Sequence, residues 1–136
     1  MKFLKPSNQI IVGLLFYSSS LFSAVQIIQP SENAYEEIQE AFILAEPGDV
    51  IRLTSGTYNL QDSLSLDVEG VQVEGEGMDQ TVLNFADQQS GAQGLSVTSD
   101  NVTLQDFSIQ NAKGDAIKVK GVTNIKFLRV KTEWTN

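Results

Sequence analysis

The feature that most constrains this chain is a repeat near its C-terminal end. NVTLQDFSIQ from Asn101 and NIKFLRVKTE from Asn124 align Asn on Asn, Val102 on Ile125 and Leu104 on Phe127, an offset of 23 residues. GLSV ending at Val97 recurs as AIKV ending at Val119, an offset of 22. A parallel pair joined through a crossover helix needs a longer unit than this, so very short strands recurring at this spacing exclude a βαβ array. They predict a solenoid, each strand pairing in parallel with its equivalent one repeat on. Stacked Asn101 and Asn124 side chains would then hydrogen-bond along the stack.

The same pattern reaches back through the chain. Strands are expected around Val25–Pro30, stopped by Pro30, then Val50–Leu53, Leu64–Leu66, Val71–Val73, Thr81–Phe85, Leu95–Val97, Val102–Leu104, Phe107–Ile109, Ile117–Val119 and Ile125–Phe127, with a last segment near Val130. Matching Leu64 to Leu95 takes an offset of 31, so the earlier repeat carries nine extra residues, expected between Gly75 and Gly94. Asp87 to Gly94 is small and polar and reads as a protruding loop. Alternation of apolar and polar side chains sets the inward face. It predicts burial of Ile51, Leu53, Leu66, Val73, Leu95, Val97, Val102, Leu104, Phe107, Ile109, Ile117, Val119 and Ile125.

One helix is expected, over Ala34–Ala45. Asn33 can cap it, with Glu36 three residues on as in a capping box, and Pro47-Gly48 ends it. Ile38, Ala41, Phe42 and Ala45 fall on one apolar stripe. A single stripe on a lone helix must cover something, and the open end of a strand stack is the natural place.

Residues 1–24 have the order of a secretory signal peptide: Lys2 and Lys5, an apolar run from Ile10 to Phe16, then small residues to Ala24. Cleavage after Ala24 places Phe22 badly, whereas cleavage after Ser20 fits the small-residue rule but leaves an apolar leader. An uncleaved N-terminal anchor is the competing reading, although the run is short for a membrane span. The leader implies an exported protein, periplasmic or extracellular, with residues 25–136 as the folded domain. The 136-residue chain has no cysteine, so neither disulfides nor thiolate metal sites are available. It also has no histidine, the commonest general base near neutral pH and a common zinc ligand.

Charge is segregated. The formal net charge is −8, and Lys2 and Lys5 offset a value of −10 for the remainder. Between Val25 and Ala112 Arg52 is the one basic residue against fifteen acidic ones. From Lys113 onward six basic residues face two acidic ones. The acidic part argues against nucleic acid as a general partner.

Three blocks carry a resemblance to a known family. IQEAFILAEPGDVIRLTSGTY resembles the N-terminal cap and first strand of the pectin-lyase-like right-handed parallel β-helix proteins. GEGMDQTVLNF is similar to their early Gly-x-Gly…Thr-x-Leu coil. NVTLQDFSIQNAKGDAIKVKGVTNIKFLRV resembles their NosD-like carbohydrate-binding repeats. The resemblance implies an all-β fold: a right-handed parallel β-helix of about three coils capped by the N-terminal helix. It also implies a carbohydrate-active or carbohydrate-binding protein. Enzymes of the family include polysaccharide lyases and uronan C5-epimerases. The Asp-Pro-His motif of the epimerases is absent here, and the calcium ligands and arginine base of the lyases have no residue-by-residue match. The chain stops at Glu133-Trp134-Thr135-Asn136, within a coil, and so reads as the N-terminal part of a longer protein. No cofactor is evident, and calcium is left to such a parent.

Lys118, Lys120, Lys126, Arg129 and Lys131 are the candidate binding residues. Most alternate with inward apolar positions and so should stand outward, where they could hold an acidic polysaccharide such as a polyuronate. The competing reading is that lysines solvate an exposed strand edge. Asp106, Asp115 and Glu133 are the carboxylates nearest this face, suited to calcium or acid–base work, with Asp115 best read as a turn residue. Glu69, Glu74, Glu76 and Asp79 form an acidic run without EF-hand spacing. Trp134 could stack on a sugar ring. Asn101-Val102-Thr103 is a glycosylation sequon inside the repeat. No catalytic set is found, and the alternative to polyuronate recognition is a non-catalytic cell-envelope or surface scaffold.

Overall fold

The structure is a computed structural model that describes residues 23–135. Nearly all of the signal-peptide segment lies outside these residues. The elements in chain order are β1 (Val25–Ile28), α1 (Ala34–Leu44), β2 (Val50–Leu53), β3 (Gly56–Asn59), β4 (Leu64–Leu66), β5 (Gln72–Glu74), β6 (Thr81–Asn84), β7 (Leu95–Val97), β8 (Thr103–Gln110), β9 (Ile117–Val119) and β10 (Lys126–Glu133).

All strand pairs are parallel and form two sheets. The larger has seven strands in the order β1-β2-β5-β8-β6-β3, with β10 also paired to β8. The smaller has the order β4-β7-β9. This corrects the expectation of a right-handed parallel β-helix. A three-faced solenoid needs three separate ladders, whereas here two expected ladders are fused. β8 runs unbroken through eight residues, its first half pairing with β5 and its second with β6. The larger sheet therefore curls into a half-barrel beside the smaller one. The cause is local. Asp106 adopts a left-handed backbone, φ 61°, in the middle of β8, and Arg129 does the same in β10, φ 54°. One left-handed residue bends the strand and reverses the alternation after it, while pairing continues on both sides.

The registers follow the sequence offsets. Leu95 pairs with Ile117 and Val97 with Val119, Thr103 with Lys126, and Leu64 with Leu95. The extra residues lie between Gly75 and Gly94, in two insertions. Gln72 and Val82 are ten residues apart while their partners Thr103 and Ser108 are five apart. Leu83 and Leu95 are twelve apart, against eight for Ile109 and Ile117. The second insertion is not a free loop. Gln88 is buried, its Nε2 lying 3.0 Å from Ser63 Oγ and 2.8 Å from the Gln93 carbonyl, while its Oε1 accepts from the Lys113 amide.

The core is the set of inward side chains: Leu53, Tyr58, Leu66, Val73, Leu83, Phe85, Val97, Leu104, Phe107 and Ile109 are among those fully buried. α1 packs Ala34, Ile38, Ala41 and Phe42 against β1, β3 and β4, the terminal strands at one end of the stack. Its cap differs from the expected box. Asn33 makes no side-chain cap bond; instead Ser31 Oγ accepts from the Asn33 amide and donates to Glu37. At the other end, among the described residues, β9 and β10 have no strand beyond them. Ile117 and Ile125 are only partly buried and Val119 is 38% exposed, against the expected burial of all three. Their register is the expected one, and Lys118 is exposed rather than inward. What they lack is a covering layer.

Candidate functional site: the basic end

The five candidate cations lie on β9, on β10 and just after β9, all in the last layer of the stack. β9 is three residues long, like its sheet neighbours β4 and β7, and each lysine's direction follows from the pairing. Lys118 sits in register with Ser96 and, one strand further, Ser65, on the outer face of the small sheet. Lys120 follows β9, its amide donating to the Val97 carbonyl at 3.2 Å. Lys126 opens β10 in register with Thr103 and Gln72, on the outer face of the larger sheet. The structure thus distributes the candidates over two sheets that share an end.

Two of the five are committed to carboxylates. Arg129 Nε lies 2.5 Å from Asp106 Oδ1 and its Nη2 lies 3.0 Å from Oδ2, a two-point contact between the stacked left-handed residues. The hydrogen bonds from Arg129 hold the Asp106 carboxyl below the usual carboxylate range, and Asp106 raises Arg129 in turn. Lys131 Nζ lies 2.6 Å from Asp79 and 3.3 Å from Glu133, and is raised chiefly by its hydrogen bond to Asp79. Lys118, Lys120 and Lys126 have no ion pair among the described residues.

The other candidates are dispersed. Glu133 accepts from Gln110 at 2.6 Å. Glu74 pairs with Arg52 at 2.7 Å and accepts from Gln72 and Gln105. Glu76 accepts from Ser55, and Asp79 serves Lys131. Asp115 contributes its carbonyl to the Gly94 amide at 2.9 Å, a long-range bond between segments just before β9 and β7. Among the described residues these carboxylates do not converge into a cluster of three or more potential metal ligands. Trp134 is tethered through Nε1 to the Ala112 carbonyl at 2.7 Å, with 59% of the residue exposed. Asn124 Nδ2 donates to Asn101 Oδ1 at 2.7 Å, so the sequon asparagine is part of a ladder.

A second ladder escaped the sequence reading. Asn84 donates to Asn59 and Asn111 donates to Asn84, while Thr135 donates its amide to Asn111. Asparagines spaced 25 and 27 residues apart were the available signal. Near its first step, beside β3, a groove of about 840 Å³ is lined by Glu32, Thr57, Asn59, Gln61, Asp87 and Gln89 among others. Its lining holds no lysine or arginine, so it repels a polyanion, and the basic end attracts one. No helix among the described residues is long and apolar enough to cross a membrane. Comparison with family models, curated proteins and solved structures finds no match.

Proposed function

We propose that this is an exported binding module for acidic polysaccharide, which it contacts through Lys118, Lys120 and Lys126. The observation that carries this reading is the split among the five cations. Arg129 and Lys131 already have carboxylate partners, whereas these three leave their charge for an external anion. The rest of the described surface is acidic, so positive potential is concentrated at one end. A polyuronate presents carboxylates at a regular repeat, and a long chain engages several lysines at once.

Binding of pectate or alginate in low salt tests this reading. Affinity should rise with polymer length, and neutral glucans should not bind. At about 1 M salt, where the screening length falls to roughly 3 Å, binding should vanish. Lys118→Gln with Lys120→Gln should weaken binding about fivefold, from roughly 0.5 kcal/mol for each exposed contact. The two side chains stand outside the core, so the fold should survive. Unchanged low-salt affinity in this double variant would exclude the basic end as the binding surface.

A further inference from the structure

We propose that the groove beside β3 takes an extended peptide of another protein as an added strand, one whose asparagine is flanked at alternate positions by basic residues. This goes beyond polysaccharide binding and uses none of the lysines assigned to it.

The edge is set inside the chain. β3 pairs with β6 alone. On its other side Pro30 closes in on Gly56, its Cγ 2.6 Å from where a Cβ would stand, and the chain then turns into α1. No strand of the described residues therefore lies beyond β3. Gly56 and Leu60 donate their amides on the β6 side, to Gln80 and Asn84 at 2.7 and 2.9 Å. In a parallel ladder the facing residues alternate, so the N–H and C=O of Thr57 and Asn59 point away from β6. They have no hydrogen-bond partner among the described residues. At β4 the same need is met from within. The Gln39 carboxamide donates to the Ser65 carbonyl at 2.9 Å and accepts from the Ser65 amide at 2.8 Å. That carboxamide acts as a peptide group would, and β3 has no such plug.

The groove identifies the occupant. Thr57, Asn59 and Gln61 line it, with Glu32 before α1 and Asp87 and Gln89 from the insertion after β6. Glu32 and Asp87 are exposed and make no ion pair among the described residues. Complementary charge on the added strand is therefore basic. The asparagine ladder supplies a register. Asn111 donates to Asn84 and Asn84 to Asn59, each at 3.1 Å. Asn59 Nδ2 is next in that direction and has no partner among the described residues. An asparagine beside it on the added strand would accept that bond and lengthen the ladder. Residues two places either side share its face, within the groove that Glu32 and Asp87 line. Main-chain bonds to a free sheet edge then supply affinity, and these side chains supply choice.

Amide hydrogen exchange of the full chain, with the capped peptide Thr-Lys-Val-Asn-Val-Lys-Thr added in low salt, tests this. The Thr57 and Asn59 amides should gain protection by more than about tenfold, while Tyr58, which faces β6, should not change. The peptide with Glu for both lysines should bind more than about tenfold more weakly. Leu for its asparagine should cost about fivefold, the loss of one hydrogen bond. Glu32→Lys with Asp87→Lys should reverse the preference and take the Glu peptide, which also shows that the variant is folded. No added protection of Thr57 and Asn59 at about 1 mM peptide would overturn the proposal. So would equal affinity for the Lys and Glu peptides, or a swapped variant that still prefers the Lys peptide. Pectate binding is measured without peptide, so the two readings stand or fall separately.

Discussion

The Tyr58 hydroxyl lies 2.9 Å from the Ile28 carbonyl and 2.8 Å from the Thr54 carbonyl, inside a fully buried site. It ties β1, which sits at the edge of the larger sheet, to the turn before β3. Burial pushes the hydroxyl above the usual phenol range, so it stays a donor throughout the working pH range. Tyr58→Phe keeps the ring and removes the donor, while the Ile28 carbonyl keeps its bond from the Thr54 amide and the Thr54 carbonyl its bond from Thr81 Oγ1. Losing the hydroxyl bond costs about 0.5–1.5 kcal/mol, read as a lower urea midpoint at unchanged slope. A loss below about 0.3 kcal/mol would show that the carbonyls find water instead. The role of Tyr58 was not legible in sequence, since its partner Ile28 lies thirty residues away. Ser108 shows the opposite case. It is fully buried and its Oγ has no hydrogen-bond partner. Ser108→Ala should therefore be neutral or stabilising by up to about 1 kcal/mol, because an unpartnered buried hydroxyl is a cost. A clear loss of stability on chemical denaturation would mean that the hydroxyl has a partner in solution.

At the scale of elements, β8 and β10 decide the architecture. Their short halves were legible as separate strands from the apolar pattern. Their continuity was not, because it depends on Asp106 and Arg129 adopting a backbone that non-glycine residues seldom visit. Asparagine tolerates that conformation, which is why Asn101 and Asn124 were easier to read as turn positions. Nothing in DFS or LRV announces it. The stacked pair is held by two hydrogen bonds from Arg129 to Asp106, and this gives a pH signature. The folded carboxyl titrates below its ordinary value, so the contribution of the pair is complete above pH about 4 and is lost as pH falls through the lower folded value. An exposed pair adds little to global stability, so carboxyl titration by NMR is the sensitive readout. Asp106 should titrate below the ordinary range in the parent and move up towards it in Arg129→Gln. An Asp106 titration indifferent to that substitution would remove the pair from the account of the bend.

At the scale of the whole molecule, parallel strands form two sheets, α1 packs against β1, β3 and β4, and among the described residues β9 and β10 are edge strands. The closing helix and the registers of β4 on β7, β7 on β9 and β8 on β10 could be read from sequence, because they depend on periodicity: Ile38, Ala41 and Phe42 at helical spacing, Val97 and Val119 at the repeat offset; β3 and its pairing with β6 were not among the expected strands. The number of sheets could not, because it turns on two backbone angles. The candidate site was legible only in part. The lysines were found, but the partners that occupy Arg129 and Lys131 come from different strands and loops, and Asp79 is 52 residues from Lys131. β9 and β10 carry the lysines proposed to hold the polysaccharide, so their place as edge strands among the described residues is the central claim. The Lys120 amide donates to Val97 in β7 and the Lys126 amide to Val102, just before β8; in a parallel ladder the adjacent Val119 and Phe127 amides then face away from those strands. Amide hydrogen exchange on dilute monomer in high salt measures this directly. Val119 and Phe127 should exchange near the unprotected rate while Gln72 and Thr103, bonded to the Asp49 and Val71 carbonyls, exchange slowly. Equal, strong protection of Val119 and Thr103 under those conditions would contradict their place as edge strands.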